Sequence, residues 1–236
     1  MEYMFGLDGM YIKEDSAITL GKFDGLHRGH QKLISRIRQL ESKGYKSAVF
    51  TLNSRREKGL LLTDEERRNH LERMGISYLI DCPFVTEIAG MAPEDIVKSI
   101  LVDKLHARRL VVGEDFRFGH NRAGDCRTLQ KLQETYGFQV EVVSKESYEG
   151  REISSTYVRE ALAEGNMELV RRLLGYSYYV TGEVLHGRRL GRGLGIPTTN
   201  LVPTTRKMLP PNGVYASVTV LDGEEYPGIT NIGYKP

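Results

Sequence analysis

Two histidines, His27 and His30, lie where an apolar run gives way to a helical pattern. The run covers residues 17–20, and apolar residues then recur at helical spacing, at Leu33, Ile34, Ile37 and Leu40. A helix start offers free backbone N–H groups and the positive end of the helix dipole, both of which favour an anion. Imidazoles placed there add hydrogen-bond donors. The arrangement predicts a site for the phosphates of a nucleotide.

The residues around this pair suit phosphate transfer, in which catalysis is mostly positioning and charge stabilisation. Gly29 would let a ligand approach the backbone, and Asp24 would hold a metal or orient a histidine. Gly21 and Gly25 add flexibility to the same stretch. The alternative interpretation is one capping histidine and one surface histidine.

Residues 153–159 provide a second candidate phosphate contact. Ser155 and Thr156 are residue types that cap helix starts, and Arg159 lies within one turn of them. An arginine there can donate two parallel hydrogen bonds to phosphate oxygens. A capped helix with a surface arginine is the alternative.

Two further segments carry aromatic or glycine-rich patterns. In residues 113–125, Phe116 and Phe118 could stack on a flat ring and Arg122 could meet a phosphate, unless the phenylalanines belong to the core. Residues 182–201 could wrap phosphate with glycines and offer Mg²⁺ the neutral oxygens of Thr198 and Asn200. A flexible hairpin loop is the alternative for that second segment.

Alternating strand and helix patterns fill the first two-thirds of the chain, which predicts an α/β fold with a parallel sheet covered by helices on both faces. The predicted strands are residues 17–20, 47–52, 78–80, 110–112 and 139–143. The predicted helices are residues 30–42, 64–74, 93–105, 125–136, 155–164 and 167–174.

The pattern changes after Gly175, where we place a boundary between domains 1–174 and 175–236. The second part has strand patterns at residues 178–185, 214–221 and 226–232, with Asp222-Gly223 as a hairpin turn.

Bulk composition narrows the class of protein. The chain has 33 Lys and Arg against 31 Asp and Glu, a net charge of +2, which argues against a nucleic-acid partner. The two cysteines, Cys82 and Cys126, lack metal-site spacing and predict reduced thiols. With no signal peptide or membrane-spanning pattern, we expect a cytoplasmic protein, either a monomer or a weak homo-oligomer.

The motifs together resemble one family. The stretch Gly-Lys-Phe-Asp-Gly-Leu-His-Arg-Gly-His and the later Ile-Ser-Ser-Thr-Tyr-Val-Arg are similar to signatures of the nucleotidylyl transferase superfamily. The longer form of the first, with the Gly-Glu-Asp-Phe-Arg-Phe-Gly and Gly-Ile-Pro-Thr-Thr-Asn segments, resembles the bacterial bifunctional riboflavin kinase/FAD synthetase family.

The resemblance implies a Rossmann-like FMN adenylyltransferase domain followed by a small antiparallel β-barrel riboflavin kinase domain. It implies nucleotide contacts at Gly21, Phe23, Gly25, Gly29, Ser155, Thr156, Gly191 and Gly195, flavin contacts at Asp115, Phe116, Phe118 and Arg122, and Mg²⁺ at Thr198 and Asn200. His27, His30, Asp24 and Arg159 would be catalytic.

FMN, riboflavin and MgATP would be substrates, and FAD and FMN products. The family's kinase module continues beyond the matching residues, so we expect it to be incomplete in residues 1–236 and kinase activity to be weak or absent. The open alternatives are a nucleotidylyl transferase for another phosphorylated substrate and a non-catalytic flavin- or nucleotide-binding regulator.

Overall fold

The structure is a computed structural model that describes residues 1–7, 9–53, 58–83, 86–185 and 198–233. Its helices are α1 (Arg28–Gln39), α2 (Asp64–Arg73), α3 (Thr86–Gly90), α4 (Pro93–Asp95), α5 (Cys126–Tyr136), α6 (Ser155–Ala163) and α7 (Met167–Leu174). Its strands are β1 (Glu2–Phe5), β2 (Ser16–Gly21), β3 (Lys46–Asn53), β4 (Tyr78–Pro83), β5 (Ala107–Gly113), β6 (Arg117–Phe118), β7 (Gly124–Asp125), β8 (Gln139–Val143), β9 (Ser147–Tyr148), β10 (Arg151–Glu152), β11 (Glu183–Leu185), β12 (Asn200–Val202), β13 (Gly213–Leu221) and β14 (Glu224–Ile232).

Two predicted helices differ from the observed elements. The helix predicted for residues 30–42 begins earlier, at Arg28, and ends in a 3₁₀ turn at Leu40–Lys43. The pattern at residues 93–105 forms a single turn, α4, that continues as a π-helical segment over Ile96–Val102. Hydrophobic periodicity predicted the presence of these helices but not their hydrogen-bond pattern.

The central sheet is six-stranded, in the order β1-β4-β3-β2-β5-β8, and every neighbouring pair is parallel. The predicted α/β fold with a parallel sheet is confirmed. Strand β1 was not predicted; it is short and exposes most of its residues at the sheet edge. From β2 the chain adds strands on one side up to β4 and then returns to place β5 on the other side. Such a reversal opens a crevice at the carboxyl ends of β2 and β5.

Helices cover both faces of this sheet. Ala17 of β2 packs with Leu33, Ile34 and Ile37 of α1, whereas the next residue, Ile18, packs with the π-helical segment and α5 on the opposite face. This alternation is the two-residue period of a strand. A third cluster joins α6 and α7 to Leu61. Among the described residues, no helix is long and apolar enough to cross a membrane.

The C-terminal part contains two antiparallel hairpins, β11–β12 and β13–β14. The turn between β13 and β14 is Asp222-Gly223 as predicted, with φ of 51° and 85°, which suits a two-residue hairpin loop. The strand predicted at residues 178–185 is wrong over its first part, because only Glu183–Leu185 is extended in a ladder. A closed barrel is not observed in the described residues and stays a prediction, as does the domain boundary at residue 175.

A buried ion pair joins the two parts of the chain. Lys207 Nζ donates to Glu66 Oε2 of α2 at 2.6 Å and to the Leu61 carbonyl at 2.8 Å. The other carboxylate oxygen of Glu66 accepts from the backbone and hydroxyl of Thr181, at 2.9 and 3.0 Å. Both charged side chains are fully buried. Burial lowers the pKa of Lys207, and the Glu66 carboxylate opposes that shift.

Replacement of Lys207 should therefore be costly. Lys207→Met leaves the Glu66 carboxylate buried without its cation, so we expect the free energy of unfolding to fall by about 3 kcal/mol. The matched control is Arg206→Met, which breaks a half-exposed pair with Asp64 at 3.2 Å and should cost about 1 kcal/mol or less. Urea unfolding measures both, and equal losses would contradict a dominant buried pair.

Candidate active site

The histidine loop, residues 21–30, follows β2 at the crevice of the sheet. His27 is the N-cap of α1, and its Nδ1 accepts a long hydrogen bond of 3.4 Å from the His30 N–H. The two imidazoles stack with ring centroids 3.7 Å apart and planes at 20°. The structure thus brings the predicted pair together, as one stacked unit at a helix N-terminus.

The backbone of this loop is held in an unusual conformation. Phe23, Gly25 and Leu26 have φ of 46°, 83° and 40°, in the left-handed region that non-glycine residues rarely adopt. Phe23 and Leu26 are fully buried, and this burial offsets the strain. A Cβ at Gly25 would lie 2.7 Å from Leu61 Cδ1, so glycine is required there by both space and φ.

Burial keeps both imidazoles uncharged at neutral pH. It lowers the pKa of His27 from 6.5 to about 4, opposed by the charge of Asp115. It also lowers the pKa of His30 well below its ordinary value, and His27 adds to that shift. Because His27 Nδ1 accepts a hydrogen bond, the neutral ring carries its proton on Nε2, which can donate to a ligand.

His30 has an unsatisfied polar atom. Within the part of the chain that the structure describes, its buried Nδ1 has no hydrogen-bond partner. Buried polar atoms without a partner are uncommon and call for an explanation. When His30 Nδ1 carries the proton, it is a hydrogen-bond donor without an acceptor, and an oxygen of a bound phosphate would be a suitable acceptor.

Asp24 lies at the centre of a hydrogen-bond network rather than facing open space. One carboxylate oxygen accepts from the backbone N–H groups of Leu61 and Leu62 at 3.0 and 3.4 Å. The other forms an ion pair with Arg159, whose Nε also donates to the Gly59 carbonyl at 3.0 Å. Residues 59–63, called here the bridge segment, are thereby fixed beside the histidine loop.

These contacts change the roles predicted for this group. Both oxygens of Asp24 have protein donors, which makes it a positioning residue rather than a metal ligand. Arg159 is directed at Asp24 and Gly59, so its predicted grip on phosphate is indirect in this arrangement. Ser155 donates to the Asp24 carbonyl at 2.8 Å and Thr156 is exposed. The helix cap is Ser154, one residue earlier than predicted.

The loop after β5 lies on the other side of the crevice, and the Asp115 charge reaches His27. Phe116 and Phe118 stack with centroids 5.4 Å apart. Phe118 is 4% exposed and belongs to the core, so only the partly buried Phe116 is available to a ligand. The Arg122 side chain is exposed.

Sequence reasoning missed two residues that organise this region. Lys145 forms ion pairs with Asp115 at 3.3 Å and with Glu152 at 2.6 Å, tying the β5 loop to the segment before α6. Tyr176 donates its hydroxyl to the Gly25 carbonyl at 2.7 Å. Neither had a sequence signal, because each contact is made across more than a hundred residues or between surface loops.

The assignment of Mg²⁺ to Thr198 and Asn200 stays a prediction. Thr198 and Asn200 are exposed neutral side chains, and Gly191 and Gly195 lie outside the described residues. Among the described residues, no group of three or more His, Cys, Asp or Glu side chains could hold a metal ion. Mg²⁺ is ordinarily bound through one or two carboxylates together with substrate phosphates. The described residues therefore provide no carboxylate cluster for a resident Mg²⁺, whereas a cation that arrives on the phosphates of ATP needs few protein ligands.

Comparison with known proteins agrees with this geometry. The family model for FAD synthetase matches residues 10–157, and the model for riboflavin kinase matches residues 174–236. Bifunctional riboflavin kinase/FMN adenylyltransferases are similar to the chain: that of Pseudomonas fluorescens is 36% identical over 100% of this chain and 78% of its own length. That of Escherichia coli strain K12 is 36% identical, over 95% and 74%, and that of Bacillus subtilis strain 168 is 35% identical, over 95% and 75%.

A solved structure has the same fold. The crystal structure of a macrolide-efflux protein from Streptococcus pneumoniae superposes with a TM-score of 0.87 at 26% identity, covering 99% of this chain and 79% of that one. The fold and the site define a nucleotide-binding α/β protein with a stacked histidine pair. The chain belongs to the bifunctional riboflavin kinase/FMN adenylyltransferase family.

The low pKa of His27 makes stability depend on pH. Between pH 6.5 and about 4 the unfolded chain binds a proton at this residue and the folded chain does not. The free energy of unfolding should therefore fall as the pH is lowered through this range, by roughly 3 kcal/mol from His27 alone, and His30 acts in the same direction.

Urea unfolding between pH 7 and pH 4.5 measures this dependence. His27→Asn retains a good N-cap side chain but has no titrating group, so its stability should depend less steeply on pH. A profile as steep as that of the wild type would contradict the assignment.

Proposed function

We propose that the histidine site transfers the adenylyl group of ATP to the phosphate of FMN, forming FAD and releasing pyrophosphate. The observation that carries this proposal is the stacked, uncharged histidine pair at the N-terminus of α1, with one buried ring nitrogen unpartnered. Family membership supplies the substrates, since relatives at about 35% identity are named for this activity.

The reaction needs charge stabilisation more than covalent chemistry. An FMN phosphate oxygen attacks the α-phosphorus of ATP, a new P–O bond forms, and the bond to the bridging oxygen of pyrophosphate breaks. The FMN phosphate is already a nucleophile, so no covalent enzyme intermediate is required. Negative charge builds on the α-phosphoryl and leaving oxygens as these bonds change.

Residues of the histidine site would stabilise that negative charge. Nε2–H of His27 donates a hydrogen bond, His30 supplies a second ring, and the first N–H groups of α1 point in the same direction. A neutral imidazole donor is suitable because it needs no proton transfer in the step. Mg²⁺, which we propose to enter with ATP, would supply countercharge on the phosphates.

Flavin recognition is proposed for the loop after β5. Phe116 offers one ring face to the isoalloxazine, and Phe118 supports it from the core side. Arg122 would contact the FMN phosphate, and Asp115 would set the position of this loop through Lys145. Gly21 and Gly29 would give the nucleotide close access to the backbone.

Riboflavin phosphorylation is the second activity, favoured by the match of residues 174–236 to the riboflavin kinase model. That it is weak or absent in residues 1–236 alone stays a prediction. The 5′-hydroxyl oxygen of riboflavin would attack the γ-phosphorus of ATP, the bond from that phosphorus to the bridging oxygen would break to release ADP, and the hydroxyl proton would pass to solvent. We propose that Gly191 and Gly195 wrap phosphate and that Thr198 and Asn200 contact the ATP-bound cation within a β-barrel module. Location in the cytoplasm remains a prediction.

The first test is formation of FAD and pyrophosphate from FMN and ATP. His27→Asn keeps the helix cap and removes the imidazole, so we expect kcat to fall about a hundredfold or more. The matched control is His106→Asn at the opposite end of β5, where the backbone has φ of 45°, a conformation that asparagine tolerates. Normal FAD formation by His27→Asn would contradict the proposal.

The same assay separates the rival functions. Binding of FMN and ATP by the wild-type chain without release of pyrophosphate would indicate a regulator. Turnover of ATP with another phosphorylated acceptor, and none with FMN, would indicate a different nucleotidylyl transferase.

Replacement of Phe116 tests flavin recognition. Phe116→Leu should raise KM for FMN about fivefold and leave KM for ATP unchanged, because loss of one aromatic stacking contact is worth about 1 kcal/mol. Phe118→Leu is the matched control: it should lower the unfolding free energy by about 1 kcal/mol or more while changing KM for FMN less. Steady-state kinetics and urea unfolding measure these effects. Equal KM changes in both variants would contradict a specific role for Phe116.

A further inference from the structure

The bridge segment is hydrogen-bonded along two edges. On one edge its backbone donates to the Asp24 carboxylate and the Gly59 carbonyl accepts from Arg159, as described above. On the other edge Leu60 pairs with Lys207 in a parallel bridge. The Leu60 N–H donates to the Arg206 carbonyl at 2.9 Å, and the Met208 N–H donates to the Leu60 carbonyl at 2.9 Å. One short stretch therefore connects the histidine loop to the C-terminal module.

A second connection bypasses the bridge segment. The Tyr176 hydroxyl, just after α7, donates to the Gly25 carbonyl at 2.7 Å. The Tyr176 ring packs on His70 of α2 with centroids 4.4 Å apart, and burial raises the Tyr176 pKa, which keeps the hydroxyl a donor at physiological pH. Gly25 is one of the three left-handed residues of the histidine loop and lies directly before Leu26 and His27.

The anchor of both connections is the Glu66–Lys207 pair. Lys207 Nζ lies 4.5 Å from the Tyr178 ring centroid and 5.4 Å from that of Tyr179, so the cation is enclosed by the segment that follows Tyr176. The Tyr179 hydroxyl donates to the Glu66 carbonyl at 3.2 Å. These contacts therefore hold two segments, residues 176–181 and residues 206–208, against α2 and the bridge segment.

A strained loop keeps its backbone conformation only when contacts with the surrounding structure hold it in place. Part of the support for the histidine loop comes from the C-terminal part of the chain, directly through Tyr176 and indirectly through the contacts of the bridge segment with residues 206–208. We propose that the C-terminal module is a positioning element of adenylyl transfer, with Tyr176 as the residue that sets the histidine loop in its reactive geometry. This inference rests on the proposed FMN adenylyltransferase activity.

A packing role and a positioning role for Tyr176 lead to different experimental results. A packing contact would contribute stability and leave the kinetics of the remaining folded protein unchanged. A positioning contact would change kcat, because misplacement of catalytic groups by a fraction of an ångström weakens transition-state stabilisation more than substrate binding.

Tyr176→Phe tests it, since only the hydroxyl on the Gly25 carbonyl is lost. We expect kcat for FAD formation to fall about tenfold, with KM for FMN and for ATP within about twofold of wild type. The matched control is Tyr178→Phe, which removes a buried hydroxyl from the same interface, one that donates to the Met208 carbonyl at 2.6 Å and does not contact the histidine loop. Its kcat should stay close to wild type.

Thermal unfolding of both variants accompanies the kinetics. Wild-type kcat in Tyr176→Phe, or an equal fall in Tyr178→Phe that follows the loss of melting temperature, would overturn the inference. The result is separable from the proposed function, which stands or fails on FAD formation by the wild-type chain.

A readout that needs no turnover is the titration of His27 followed by NMR of its imidazole. The low pKa of His27 depends on burial in the loop. It should shift towards its ordinary value in Tyr176→Phe and not in Tyr178→Phe. An unchanged His27 titration together with unchanged kcat would assign Tyr176 to packing alone.

Discussion

The carboxylate of Asp24 holds together segments that are far apart in the chain. It accepts backbone N–H groups of the bridge segment and pairs with Arg159, while its own carbonyl accepts the Ser155 hydroxyl. Hydrogen bonds to a carboxylate are stronger than those between neutral groups, and the members of a partly buried network reinforce one another. The position of the histidine loop, and hence of the phosphate site, depends on this one charge.

Burial of the histidine pair determines which chemistry is available to it. Burial lowers the pKa of both stacked rings, so that both are neutral at physiological pH. The site therefore acts through oriented N–H donors and the α1 dipole rather than through fixed cations. This arrangement suits a substrate that brings its own large negative charge, because the positive end of the α1 dipole and the N–H donors stabilise that charge.

Sequence patterns predicted the elements whose structure depends on residues close together in the chain. They failed for side chains whose environment is set by residues distant in sequence. The parallel sheet and α1 followed from hydrophobic periodicity, and the histidine loop from its place after β2. Residues 178–182 have a strand-like composition but lie against α2 instead, because Tyr178 and Tyr179 enclose Lys207. Phe118 resembled a ligand contact and is core. Asp24 resembled a metal ligand because its partners, the bridge segment and Arg159, are not adjacent in sequence.

The separation of Glu66 and Lys207 by 141 residues has a consequence for synthesis of the protein. A chain emerging from the ribosome presents the histidine loop and α2 early, while the cation that closes the network is added much later. Until then the Glu66 carboxylate accepts the Thr63 N–H of the helix cap but lacks its cation, and the left-handed residues of the loop lack part of their support. The phosphate site should thus reach its final geometry only after Lys207 is in place, although its residues are translated well before that lysine.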